Sequence, residues 1–133
     1  KFTPYILKLF LLGSSSPIII VPIGWFFSKE ILRICYGTDF VGAFPLLNLL
    51  LISFFIMIPN LVLTQATLAI DREYFYAKIT CVAAVTNICL NLYLIPAMGA
   101  KGAAIGTIST EVLLLLLIGS GILSWRRKVI LEQ

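Results

Sequence analysis

The residue best equipped for chemistry in this chain is Glu111, a carboxylate inside an otherwise apolar run from Ala103 to Trp125. Counted from Gly102, it lies about 13 Å into that run, near the midplane of a bilayer that the run would cross. A carboxylate at that depth costs roughly 3 kcal/mol on insertion scales, so it has to face a helix bundle or a water-filled cavity. Two roles fit it. One is a proton or cation site that helps drive a transport cycle. The other is a protonated or hydrogen-bonded carboxyl that joins its helix to a neighbour, and the small residues packed around it favour this one. Thr107, four residues earlier, is placed to bond it in either case.

Asn87 and Asn91 are four apart and share one helical face, which Thr80 and Ala84 continue. Such a stripe suits a hydrophilic wall of a substrate cavity. It equally suits hydrogen bonds between helices, worth about 0.6 kcal/mol each on average. Gln65, Thr64, Thr67 and Asn60 give another run a polar side. Beside Pro59 they make it the candidate for a cavity-lining, hinge-like helix, with Asn60 placed to bond the carbonyls that the proline frees.

Catalysis is not in view. The chain has no His, no paired carboxylates in one segment, no G-x-S-x-G and no phosphate loop, and Ser14-Ser15-Ser16 has no base beside it. Cys35, Cys81 and Cys89 are odd in number and unrelated in spacing, so neither a metal site nor a redox pair is expected, and no cofactor is implied.

The elements that must position these residues are helices in a membrane. The chain has 133 residues, 60% of them hydrophobic and 12% charged, with a mean hydropathy of +1.05. Soluble domains are about half apolar and a quarter charged. The pattern predicts an all-α polytopic bundle of about four transmembrane helices. The spans are expected at about 5–27, 42–70, 74–95 and 103–125, with a short interfacial helix over 28–36. The first span is interrupted by Gly13 to Pro17 and by Pro22, the second by Pro59. Asp71-Arg72-Glu73 reads as a solvated turn, and Pro96 to Gly102 as a tight glycine-rich connection. Lys29, Glu30 and Arg33 are expected among head groups, and Trp125 as an anchor before the positive stop Arg126-Arg127-Lys128. Gly102 and Gly106 form a G-x-x-x-G packing face, with Gly99 and Ala103 expected to reinforce it.

The net charge of +4 is scattered over segment ends and does not make the contiguous basic face that nucleic acid requires. With four spans, seven of the ten Lys and Arg residues fall on the side of the two termini. The positive-inside rule then puts both ends in the cytoplasm. Lys1 is not Met, and a cleaved signal would not explain apolar stretches along the whole length, so the chain reads as a piece of a longer protein.

The stretch Asn87 to Thr107, "N…LN…LIP…G..GAA..T", followed by Ser109-Thr110-Glu111, resembles the late helices of the polysaccharide flippase family. That family belongs to the multidrug/oligosaccharidyl-lipid/polysaccharide exporter superfamily. Ile34 to Phe40 followed by Ala43 resembles its "YG..F..A" element. The resemblance covers nearly all of this chain but about a third of a family member, whose other helices would precede it. It implies a lipid-linked oligosaccharide as substrate, a bacterial or archaeal cytoplasmic membrane, and alternating access between two lobes. Glu111, Asn87, Asn91, Gln65 and Asn60 are then the candidates to line the path. Gly99, Gly102, Gly106, Pro59 and Pro96 would serve packing and bending. A drug/cation antiporter of the same superfamily and a non-transporting membrane scaffold subunit are the alternatives. A four-helix small multidrug transporter working as a dimer fits less well, because those carry their key Glu in the first span.

Overall fold

The computed structural model describes residue 8 and residues 17–131, with side chains through Trp125. Among the described residues there is no strand. The helices are α1 (described over Pro17–Phe26), α2 (Ser28–Tyr36), α3 (Phe44–Leu68), α4 (Glu73–Met98) and α5 (Ala100–Leu131), with a 3-10 segment over Thr38–Ala43 leading into α3. The chain is therefore an all-α bundle. Three runs, Thr38–Leu68, Glu73–Met98 and Ala100–Trp125, are each long and apolar enough to cross a membrane. The expected first span lies largely outside the described residues, and its described part is the ten-residue apolar α1.

Local sequence sets the ends of these helices. Gly37, at φ 91, closes α2 with its amide on the Arg33 carbonyl, so the helix ends where the short interfacial helix over 28–36 is expected to end. Pro45 sits in the first turn of α3, where its missing N–H costs nothing. At the other end Asp71 takes the left-handed conformation, φ 56, and the Arg72 amide reaches back to the Thr67 carbonyl at 3.2 Å. This turn reverses the chain into α4. Pro96 does not end α4. The helix continues to Met98 because a proline removes only its own amide, and the Gly99 amide still bonds the Ile95 carbonyl at 2.8 Å. The expected connection over 96–102 thus shrinks to Gly99, whose φ of 59 and ψ of −138 favour glycine. A Cβ at Gly99 would meet nothing, so this residue makes a turn and not a packing contact. The amides of Gly102 and Ala103 bond the Gly99 carbonyl, which starts α5 three residues earlier than expected.

The long helices have an unequal arrangement. α5 packs extensively on both α3 and α4, whereas α3 and α4, though joined by a short turn, touch each other sparingly. α5 is the central element. α3 runs parallel to it, with Asn60 bonded to Glu111 at a sequence offset of 51. The same offset sets Ser53 level with Ala104 and Thr67 level with Ile118, and all four of these residues are buried. A seven-residue repeat of small or polar side chains on α3 therefore faces a seven-residue repeat on α5, the spacing of a left-handed helix seam.

α4 runs antiparallel to α5 and lies closer. A Cβ built on Gly102 would collide with the carbonyl of Leu94, one on Gly106 would come within 2.6 Å of Asn91 Oδ1, and one on Gly121 would enter the ring of Phe75. With Asn87 on Thr110, each of these pairs of residue numbers adds to 196 or 197. That register also faces Ile79 with Ile118, both buried. With lipid replacing water there is little hydrophobic gain in pairing helices, so such close approach and its dispersion contacts must supply the attraction. Near the front of the described chain, Gly24 of α1 seats against the Leu51 side chain of α3, where a Cβ would lie 3.1 Å from the Leu methyls.

Gly119 provides an internal control, since a Cβ there would meet nothing within 4 Å. In equilibrium unfolding in bicelles, Gly119→Ala should stabilise the protein by roughly 0.5–1 kcal/mol through helix propensity. Gly102→Ala should destabilise it by about 1–3 kcal/mol because backbone must move.

Candidate functional site

The polar side chains of the long helices divide by what they bond. Most hydroxyls turn back on their own helix: Ser53 on Leu49, Thr67 on Leu63, Thr80 on Tyr76, Thr86 on Val82, Thr107 on Ala103 and Ser109 on Ile105, all to carbonyls four residues earlier. These groups are satisfied without a partner helix, so exposure of Thr80, Thr107 and Ser109 toward hydrocarbon is tolerable. Thr107 therefore does not bond Glu111, contrary to expectation. Thr80 and Ala84 are exposed, so the buried face of α4 is set by Ile79, Ala83 and the two asparagines instead.

Three side chains with amide or carboxyl groups, Asn60, Glu111 and Asn87, instead take part in bonds between helices. Asn60, 5% exposed, donates its Nδ2 to Glu111 Oε2 at 2.7 Å and to the Glu111 carbonyl at 2.8 Å. Its amide is spent on α5, not on carbonyls that Pro59 frees in α3. Glu111 is half-buried. Its neighbour Thr110 accepts from Asn87 Nδ2 at 3.1 Å while donating to the Gly106 carbonyl at 2.8 Å. Asn91 Nδ2 then donates to Asn87 Oδ1 at 2.9 Å. Adjacent residues of α5 thus clamp the two flanking helices at one level. A polar belt runs Asn60–Glu111, then Thr110–Asn87–Asn91, through α3, α5 and α4.

The belt is incompletely satisfied. Asn60 Oδ1 and Asn91 Oδ1 are buried without a partner, as is Asn48 Oδ1 further along α3. Each such orphan costs about 1–3 kcal/mol. For Asn91 the cause is geometric: its oxygen is turned onto the bare backbone of Gly106. The two bonds that Asn60 donates to Glu111 offset part of its insertion cost, each contributing about 0.5–1.5 kcal/mol.

The sequence-derived candidates therefore separate. Glu111, Asn60, Asn87 and Asn91 come together in the belt. Gln65 does not: it is exposed, on a side of α3 well away from the Asn60 and Thr67 seam. Gly102 and Gly106 lie buried in the α4–α5 contact. Pro59 lies within α3, next to the belt, and Pro96 lies exposed in the last turn of α4. Thr110 was not a candidate from sequence, and neither was Arg72. Arg72 belongs to the turn expected to be solvated, yet its guanidinium lies 4.2 Å over the Phe75 ring and donates to the Gly121 carbonyl at 3.1 Å.

At the far end, Lys29, Glu30 and Arg33 of α2 are exposed while Ser28 and Leu32 are buried against the bundle. Lys29 lies 4.7 Å over the Phe44 ring, and Ile34 and Phe40 stand out from the protein. This is the pattern of a short amphipathic helix at an interface. The three cysteines are free and exposed. Among the described residues no group of three or more His, Cys, Asp or Glu side chains could hold a metal ion. Chemically, the belt can donate and accept hydrogen bonds at mid-depth, and it holds no nucleophile with a base.

Compared with protein-family models, curated proteins and solved structures, the chain finds no match.

The belt predicts unequal costs for neighbouring polar residues. In bicelle unfolding, Asn60→Ala should cost about 1–2 kcal/mol. Asn60→Asp should cost more, because a carboxylate would face the Glu111 carboxylate and carbonyl. Thr67→Val should stay within about 0.5 kcal/mol, since that hydroxyl serves only its own helix.

Proposed function

We propose that the chain is the C-terminal helical part of a flippase. It moves lipid-linked oligosaccharide or polysaccharide repeat units from the cytoplasmic to the outer leaflet of a bacterial or archaeal cytoplasmic membrane. The chain contributes to the second of two lobes, preceding helices of the same protein supply the rest, and both ends are cytoplasmic. The sugar headgroup passes through a polar cavity between lobes while its lipid tail stays in or beside the bilayer. Transport proceeds by alternating access, in which each lobe moves as a unit about the substrate.

One observation carries the reading. The residues that resemble the flippase family, from Asn87 to Glu111, span the turn of the α4–α5 hairpin and include every member of the polar belt except Asn60. Mid-depth polar groups are rare in membrane helices and mark substrate or ion pathways more often than chance. Here the half-buried Glu111 has one carboxylate oxygen on Asn60, which leaves the other for a substrate hydroxyl. Gln65 adds an exposed amide on α3, suited to a cavity wall formed with another part of the protein.

The test is replacement in the whole protein, followed by measurement of glycan at the cell surface. Glu111→Ala, Asn60→Ala, Asn87→Ala, Asn91→Ala and Gln65→Ala are made singly, with membrane levels checked for each. Export should fall about ten-fold for Glu111→Ala, equivalent to the loss of one hydrogen bond of about 1.4 kcal/mol to the substrate. Wild-type export in all five variants would remove these residues from the path. A protein that exports cationic drugs and no glycan would overturn the substrate assignment.

A further inference from the structure

We infer that Arg72, Phe75 and Gly121 form a clasp that fixes the sliding register of α5 against α4, and through it the alignment of the polar belt. Three independent features meet at this point. The Arg72 guanidinium donates Nη1 to the Gly121 carbonyl at 3.1 Å. The same guanidinium stacks 4.2 Å above the Phe75 ring. The tip of that ring, its Cζ and Cε atoms, lies so close to Gly121 that any Cβ there would penetrate it. Ring and cation thus close over one bare stretch of helix backbone, and the Ser124 hydroxyl donates to the same carbonyl at 2.9 Å.

The clasp reads position along α5. The residues one turn away on the same side of α5, Leu117 and Ile118 before it and Ser124 and Trp125 after it, all carry side chains, so a slip of one turn in either direction puts a Cβ where the ring lies. Gly119 is two residues away and turned to open space, so it offers no alternative seat on the same face. From Gly121 to the belt at Glu111 is ten residues, about 15 Å of rigid helix. That distance suffices to transmit an axial position without a separate contact. The Asn87–Thr110 bond at 3.1 Å has little tolerance for sliding, because a shift of one turn is about 5.4 Å.

The turn before α4 aims the arginine. Asp71 is left-handed and the Arg72 amide is anchored on the Thr67 carbonyl, which throws the Arg72 side chain toward α5. Since α3 and α4 touch each other sparingly, this turn is where α3, α4 and α5 are held together at that end. Arginine suits the task because its planar guanidinium can stack on a ring and donate in-plane at once, whereas a lysine ammonium presents no such plane. Arg72 acts through Gly121 and the helix behind it, as a positioning residue. The clasp does not rest on the transport reading.

The experiment is disulfide crosslinking in native membranes, in the whole protein with Cys35, Cys81 and Cys89 changed to Ser. An in-register pair, Asn87→Cys with Thr110→Cys, is compared with an off-register pair, Asn87→Cys with Leu114→Cys. Against either pair, Arg72→Gln and Phe75→Leu should slow the in-register crosslink by roughly five-fold and speed the off-register one by a similar factor, since disulfides form only over a narrow Cα separation. Arg72→Lys should fall between Arg72→Gln and the parent, and Gly121→Ala should give the largest shift. If Gly121→Ala does not accumulate, the Arg72 and Phe75 variants decide. Unchanged rates at both pairs would overturn the clasp. So would a loss at both pairs together, which would mark general destabilisation with no change of register.

Discussion

Within a hydrocarbon core a donor or acceptor without a protein partner costs several kcal/mol, so pairing of amides and carboxyls between helices is strongly favoured at the level of Glu111. This constraint organises the bundle. Asn60 on one flanking helix and Asn87 on the other are both answered by α5, at consecutive residues Glu111 and Thr110. Consecutive residues on a helix point about 100° apart, so one level of α5 can hold two neighbours that hardly touch each other. The central position of α5 follows from that geometry, although the chain order would pair α3 with α4 first.

Packing then acts within the limits the polar pairs set. Along the α4 seam, Gly102, Gly106 and Gly121 remove side chains where α4 approaches, and what fills the space is a backbone carbonyl, an asparagine and a phenylalanine ring. Along the α3 seam, Ser53 and Thr67 are buried yet bond only their own helix, so they pack as small residues. The α3 contact is therefore pinned at Asn60 and dry on both sides of it. The α4 contact is pinned at mid-depth by the asparagines and at one end by Arg72 and Phe75. Two seams with different kinds of contact explain why the orphan oxygens of Asn60 and Asn91 persist. Turning the Asn60 amide over would trade an unpaired acceptor for broken bonds to Glu111 on α5, and turning Asn91 over would break its bond to Asn87 within α4.

Much of this was legible in the residues. Helical membrane character and the placing of the α2 stop at Gly37 followed from apolar run lengths and glycine signals. The shared face of Asn87 and Asn91 and the packing role of Gly102 and Gly106 followed from four-residue spacing, whereas the bond from Asn91 to Asn87 did not. The partners of Asn60 and Thr110 did not, because a side chain that bonds across 51 positions leaves no local pattern. A signal was present all the same: Ser53, Asn60 and Thr67 recur every seven residues in a helix otherwise rich in Leu, Ile and Phe, as do Ala104, Glu111 and Ile118. Pro96 was read as a boundary because proline breaks helix interiors, but in a last turn it forfeits one bond and the chain carries on. Arg72 was read as solvated because charged turns usually are. Its ring and its carbonyl acceptor come from residues 3 and 49 positions away, beyond what the turn itself can show.

The belt also limits what the proposed transport cycle can move. Separating α3 from α5 would strand Asn60, already short of one partner, with its donors in hydrocarbon as well. Separating α4 from α5 would break the Asn87 bond and expose the close glycine contact to lipid chains that cannot fill it. Each of these steps costs several kcal/mol by the usual price of buried unpaired polar groups. In the proposed cycle, opening toward one leaflet would therefore take place around this three-helix unit and not within it. On that reading Glu111 would keep a fixed position within its lobe, held by Asn60. The carboxylate would meet a substrate as part of a preformed surface, and the changes that accompany transport would fall on the opposing lobe.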